Sequence, residues 1–87
     1  MAFVYILQSL GDGRYYIGST IDLRERMKHH FGGFTPSTKR MGNLTLVFTQ
    51  EYPTIKEARS IELRLKKMKR RDYLEKIIQN KKIILRP

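Results

Sequence analysis

The sequence predicts a small mixed α+β domain, a three-stranded sheet flanked by helices in the order β-β-α-β-α-α. Three observations predict it. Two short runs rich in Val, Tyr, Ile and Leu, residues 3–9 and 14–18, flank a Gly-Asp-Gly turn. A third strand-like run, 44–51, stands by itself and stops before Pro53. Beyond it a capping-box sequence opens the longest helical stripe of the chain. A chain of 87 residues has room for one modest core, and no repeat, low-complexity stretch or linker divides it. We therefore expect one domain over residues 1–87.

Each element follows from its residues. Leu10-Gly11-Asp12-Gly13 joins the first two strands with two glycines that tolerate positive φ. Residues 21–31 read as a helix: Ser19 or Thr20 at its cap, Asp22 and Glu25 in its first turn, Gly32-Gly33 at its stop. Leu23, Met27, His30 and Phe31 fall on one side of it. A polar loop with Pro36 leads to the third strand. Thr54-Ile55-Lys56-Glu57 then starts a helix reaching about Arg71, with Ile55, Ala58, Ile61, Leu65 and Met68 as its apolar stripe. Asp72 is expected to cap a shorter helix carrying Leu74, Ile77 and Ile78, and KKIILRP adds an extended tail.

Composition narrows the function. Hydrophobic residues make up 40% of the chain, enough for a folded core. The absence of cysteine excludes disulfides and thiolate metal sites and fits a reducing, cytoplasmic setting. No apolar run approaches the roughly 18 residues of a membrane span, and MAFVYIL lacks the basic start of a signal peptide. Charge says more: 18 Lys and Arg oppose 8 Asp and Glu, for a net +10. Twelve of those cations lie between Lys56 and Arg86, so a phosphate-bearing partner is the natural expectation. Charge alone does not separate that partner from a merely solvated basic surface.

The hairpin itself carries candidate chemistry. With the turn centred between Gly11 and Asp12, Leu7 opposes Tyr16 and Tyr5 opposes Gly18. Alternation then puts Tyr5, Leu7, Tyr16 and Gly18 on one face, and Val4, Ile6, Tyr15 and Ile17 on the other. Tyr5 and Tyr16 become diagonal neighbours, about 7–8 Å apart along the backbone. Gly18 would leave open space beside Tyr5. Aromatic pairs also stabilise hairpins without any chemistry, so the phenols alone do not make a site.

Three further residues give them partners. Arg26 and His30 stand four residues apart on one helix face, the first suited to clamp a phosphate and the second to hold or pass a proton. In the bland reading Arg26 pairs with Asp22 and His30 is a packing residue. Glu62 falls at the edge of the apolar stripe, between the directions of Ile55 and Ala58. An ionised carboxylate there needs an arginine such as Arg26 or Arg59, or a divalent metal. One carboxylate suffices for Mg²⁺, which fills its remaining positions with waters and phosphate oxygens. The set suggests a phosphodiester site: Arg26 on the phosphate, a Glu62-bound metal at the leaving oxygen, and a tyrosine as base. A phenol, with an ordinary pKa of about 10, needs the metal and the arginine to lower it for that task.

These residues resemble the GIY-YIG nuclease superfamily, in particular its small stand-alone bacterial members and the catalytic domain of excision-repair endonucleases. Phe3-Val4-Tyr5 keeps the tyrosine of the first motif without the Gly-Ile before it. Tyr16-Ile17-Gly18 preserves the second, followed by Ser19-Thr20. Leu23-x-x-Arg26-x-x-x-His30 and Glu57-Ala58-x-x-x-Glu62-x-x-x-Lys66-Lys67 also fit, and Asn80 is similar to the family's C-terminal asparagine. The resemblance implies an antiparallel three-stranded sheet and cleavage of DNA phosphodiesters with one divalent metal. It further implies Tyr5 or Tyr16 as base, Arg26 on the phosphate, Glu62 on Mg²⁺ or Mn²⁺ and Asn80 in a supporting hydrogen bond. Which tyrosine acts, and whether His30 assists, stays open. The loop 32–43 offers Thr38, Lys39 and Arg40 where some members place a second histidine. With no appended DNA-binding domain expected, Lys39, Arg40, Lys66, Lys67 and Arg70 would hold DNA, weakly and with strong salt dependence.

Three functions follow in order. The first is a metal-dependent DNA endonuclease, structure-selective in repair or recombination, with RNA open as a substrate and a partner protein as a source of specificity. The second is a catalytically weak or inactive nucleic-acid-binding or adaptor module of the same fold. The third, a basic helix on an anionic membrane, is disfavoured by the lack of large aromatics on residues 55–70.

Overall fold

A computed structural model describes residues 1–31 and 43–83 of the protein. Strand β1 (Ala2–Ser9) and strand β2 (Tyr15–Thr20) form the expected hairpin, followed by helix α1 (Leu23–Phe31) and strand β3 (Leu44–Tyr52). Helices α2 (Ile55–Met68) and α3 (Arg71–Asn80) complete the β-β-α-β-α-α order among the described residues. The sheet runs β2-β1-β3, antiparallel throughout, with β1 in the centre and β2 at an edge.

The hairpin register is the expected one: Leu7 opposes Tyr16 and Tyr5 opposes Gly18. In the turn only Gly13 takes a left-handed φ, 76°, while its N–H donates to the Ser9 carbonyl at 2.9 Å. Alternation sorts the side chains into two layers. Ala2, Val4, Ile6 and Ile17 pack under Ala58, Ile61 and Leu65 of α2 and under Leu74 and Ile77 of α3. Tyr5 and Leu7 face the other way, against Met27 of α1, with Tyr16, Leu23 and Leu44 around them. The β1–β3 register shifts between Ile6, opposite Phe48, and Leu7, opposite Leu46, which leaves Val47 as an extra residue on β3.

Several local expectations are corrected. Helix α1 is capped by Asp22, whose Oδ1 accepts the Glu25 N–H at 3.0 Å, rather than by Ser19 or Thr20. The Thr20 hydroxyl instead closes a tight turn by accepting the Asp22 N–H at 3.1 Å. Thr54 caps α2 as expected, accepting the Glu57 N–H at 3.2 Å. The Glu57 carboxylate does not return the bond, and its Oε2 is buried without a protein partner. Helix α2 ends at Met68, short of Arg71, because Lys69 adopts a left-handed conformation (φ 49°) at its C-cap. Arg70, not Asp72, is the first residue before α3, and Asp72 sits in its first turn, paired with Arg70 at 2.7 Å. Beyond α3, Ile83 is buried and its N–H donates to Gln50 Oε1 at 2.7 Å, which ties the chain back to β3. The expected stop at Gly32-Gly33, the Pro36 loop and the last residues of the tail lie outside the described residues.

Candidate active site

Two elements meet on the tyrosine face of the hairpin. Helix α1 crosses it with Met27 and His30 inward, spaced so that both are buried while Arg26 stays exposed at the rim. The Tyr5 hydroxyl and His30 Nε2 are hydrogen-bonded at 2.8 Å, and both side chains are almost wholly buried. Tyr16 completes a three-ring cluster. Its ring stacks on Tyr5 at 6.5 Å between centroids and meets His30 edge-on at 5.0 Å. The expected gap at Gly18 is not open. A Cβ there would overlap the Tyr5 phenol, so the missing side chain is what lets that ring lie across β2.

Electrostatics divides the cluster. Burial pushes the Tyr5 phenol well above its ordinary range, helped by Tyr16 and Glu62, while the nearby Arg26 guanidinium pulls it back down. Burial also lowers the His30 pKa, and the charges of Arg26 and His29 add to this. A neutral imidazole can accept the Tyr5 proton at Nε2. Arg26 forms no ion pair with Asp22 or any other carboxylate among the described residues, so its guanidinium is available at the rim of the cluster.

The carboxylate arrives from the opposite layer. Glu62 projects from α2 toward β2, whose edge position leaves room for a side chain to reach beside it. The Ser19 hydroxyl donates to Glu62 Oε1, and Lys66 Nζ meets Oε2 at 2.5 Å. Neither Arg26 nor Arg59 is its partner, contrary to the simplest sequence expectation. The Lys66 ammonium also stands 5.9 Å from the Tyr16 ring centroid, which joins the carboxylate side of the site to the phenol side. Glu62 and Ser19 are hard oxygen donors, the kind that Mg²⁺ and Mn²⁺ take. Among the described residues no three His, Cys, Asp or Glu side chains gather. A divalent ion would thus be held by one carboxylate with waters and phosphate oxygens, and the donors present fit it.

Comparison with known proteins places this arrangement. The GIY-YIG catalytic domain family matches residues 1–82. The chain belongs to the GIY-YIG family. That family is one of nucleases that generally use a divalent metal. A UPF0213 protein of Streptococcus pneumoniae serotype 4 is 35% identical over 80 residues, covering 91% of this chain and 80% of the relative. A UPF0213 protein of Streptococcus sanguinis is 34% identical over 83 residues, 91% of this chain and 94% of the relative. No solved structure matches the chain.

The GIY-YIG motif residues thus fall into one neighbourhood: Tyr5, Tyr16 and Gly18 from the hairpin, Arg26 and His30 from α1, and Glu62 from α2. Asn80 is placed elsewhere. It is exposed at the end of α3, on a concavity with Tyr73, Lys76 and Lys82. Of the residues expected to hold DNA, Lys66 is in the site, Lys67 is exposed on α2, and Arg70 pairs with Asp72. Lys39 and Arg40 lie outside the described residues.

The structure adds residues that sequence reasoning missed. Ser19 reads in sequence as a cap, yet alternation puts it on the Val4 face, where α2 packs, and that parity was a usable signal. Next to the site an open groove of about 300 Å³ is rimmed by Arg14, Lys66, Lys69, Arg70 and Arg71. Arg71 lies 5.0 Å over the Tyr15 ring. Lys66, Lys69, Arg70 and Arg71 already cluster in the sequence, with Lys66 and Arg70 expected to hold DNA, so the addition is Lys69, Arg71 and above all Arg14, which no sequence spacing brings to them. The hairpin turn and the α2–α3 junction bring them together.

Proposed function

We propose that the protein is a metal-dependent endonuclease that hydrolyses phosphodiester bonds in DNA. The observation that carries this reading is the convergence at one sheet edge of an available arginine, a carboxylate and two stacked phenols. Arg26, exposed and without a carboxylate partner, binds the non-bridging oxygens of the scissile phosphate. Tyr16 is half-buried, whereas Tyr5 is sealed in and bonded to His30. Tyr16 is therefore the candidate base: having lost its own proton to solvent, its phenolate takes one from the attacking water, and Tyr5 with His30 fixes the ring beneath it. Water attacks phosphorus, the bond to the leaving oxygen breaks, and that oxygen is protonated from solvent. Glu62, steadied by Ser19, would hold the divalent ion, which when bound neutralises charge on the phosphate and leaving oxygen.

The basic rim at the α2–α3 junction would carry the flanking strand, and preference for branched ends would place the enzyme in repair or recombination. The test is incubation of flap, fork, single-stranded and supercoiled DNA with Mg²⁺ or Mn²⁺, beside Arg26→Ala and Glu62→Ala. Cutting by the wild type that both variants lose supports the reading. Cutting that survives in both overturns the site, and binding without cutting on every substrate favours an adaptor module.

A further inference from the structure

We propose that Lys66 is a place-holding cation: it occupies the Glu62 oxygen that a divalent ion takes, and on displacement it moves to a phosphate of the bound strand. The inference rests on the nuclease reading above and concerns how that site is loaded. Both Glu62 oxygens are already engaged, Oε1 by the Ser19 hydroxyl and Oε2 by the Lys66 ammonium at 2.5 Å. The two partners differ in mobility. Ser19 is held in the β2 ladder opposite Val4, so its bond to the carboxylate is fixed by the sheet. Lys66 reaches from the next turn of α2 on a four-carbon stem, and its side chain is 46% exposed against 14% for Glu62. An i,i+4 ion pair with one partner in water is weak and exchanges readily. The carboxylate is therefore the fixed member and the ammonium the one that leaves.

The surroundings say why the pair exists and where Lys66 goes. An uncompensated carboxylate at the edge of the core costs free energy, and Lys66 removes that cost while no metal is present. Arg59, one turn earlier on α2, forms no ion pair with Glu62, and among the described residues no second cation pairs with it. Lys66 also borders the open groove rimmed by Arg14, Lys69, Arg70 and Arg71. Once displaced, its ammonium stays at the mouth of a cationic wall beside Tyr16, where a phosphate adjoining the scissile one would pass. Metal affinity is then set by competition with the enzyme's own lysine, and the ion enters without leaving a stranded charge.

The experiment measures Mn²⁺ binding to the intact protein without nucleic acid, by titration and by the Mn²⁺-induced rise in Tm. Lys66→Gln is expected to bind Mn²⁺ about tenfold more tightly than wild type and to show a larger rise in Tm. Arg59→Gln, which removes a cation from the same helix without freeing Glu62, stays within about twofold of wild type. Lys66→Arg, which keeps the charge, stays near wild type, and Glu62→Gln loses the site. Equal affinities for Lys66→Gln and Arg59→Gln overturn the proposal, as does Mn²⁺ binding that ignores Glu62→Gln. DNA cutting is scored in parallel. No cutting by wild type, with tighter Mn²⁺ binding in Lys66→Gln, removes the nuclease reading and leaves the place-holder standing. Cutting that needs Arg26 and Glu62, with no effect of Lys66→Gln on Mn²⁺, does the reverse.

Discussion

Burial separates two tyrosines that the hairpin register makes neighbours. Tyr5 is sealed against His30 and its phenol is pushed up by desolvation, while Tyr16 keeps part of its surface in water beside Lys66. Replacement by phenylalanine should therefore act differently at the two positions. Tyr16→Phe is expected to lower single-turnover cleavage by about 10²–10⁴-fold, the range of a lost general base, with unchanged DNA binding by anisotropy. Tyr5→Phe leaves His30 Nε2 without its buried partner, and should cost about 1–3 kcal/mol in urea unfolding. His30 adds a pH signature. Its folded pKa is lowered from the ordinary 6.5, by burial first and then by the charges of Arg26 and His29. Below pH 6.5 the unfolded chain thus binds the proton before the folded one does. The stabilising term is complete above that value and is lost as pH falls through the folded pKa. Unfolding free energy should decline on acidification from pH 6.5, and His30→Gln should flatten that slope. An identical slope in the variant would remove His30 from the account.

At the scale of elements, the hairpin was legible because turn length and side-chain alternation together fix register, and a one-residue slip would have turned Tyr5 and Tyr16 to opposite layers. The Tyr5 ring over Gly18 was not, because alternation gives the face of a side chain and not its tilt. The end of α2 was also hidden. Helix stops are read from glycine, and here Lys69 takes the left-handed conformation at φ 49° with no glycine present. That geometry strains any residue with a Cβ. Lys69→Gly is expected to raise stability by roughly 0.5–1 kcal/mol, and the β-branched Lys69→Ile to lower it, in urea unfolding. The opposite order would mean that the α2–α3 junction is not where the chain bends. The partners of Glu62 were illegible for a third reason. Lys66, four residues on, and Ser19, on the Val4 face by parity, were each readable as candidates, but choosing them over Arg26 and Arg59 requires knowing which helix face lies along the edge strand, and that is a tertiary fact.

Across the whole molecule, the net charge of +10 pointed to a phosphate-bearing partner but not to where it binds. The fold brings Arg14 from the hairpin to Lys66, Lys69, Arg70 and Arg71 at the helix junction, next to the tyrosine cluster, and the proposed reading puts the strand there. Four of these cations already pair with carboxylates, so their grip on a strand exchanges one partner for another. Duplex binding should weaken with salt at a slope of roughly −3 to −5 in log K against log salt, as three to five phosphate contacts require. A flat dependence would contradict a phosphate-led interface. The most direct test of the central claim is a single-turnover comparison of wild type, Arg26→Ala, Tyr16→Phe and Glu62→Gln on one labelled forked DNA with Mn²⁺. Each protein would first be matched for folding by urea unfolding. The account predicts cleavage by the wild type and a loss of about two orders of magnitude or more in each variant. Wild-type rates in all three folded variants would show that the cluster around Tyr16 is packing and not an active site.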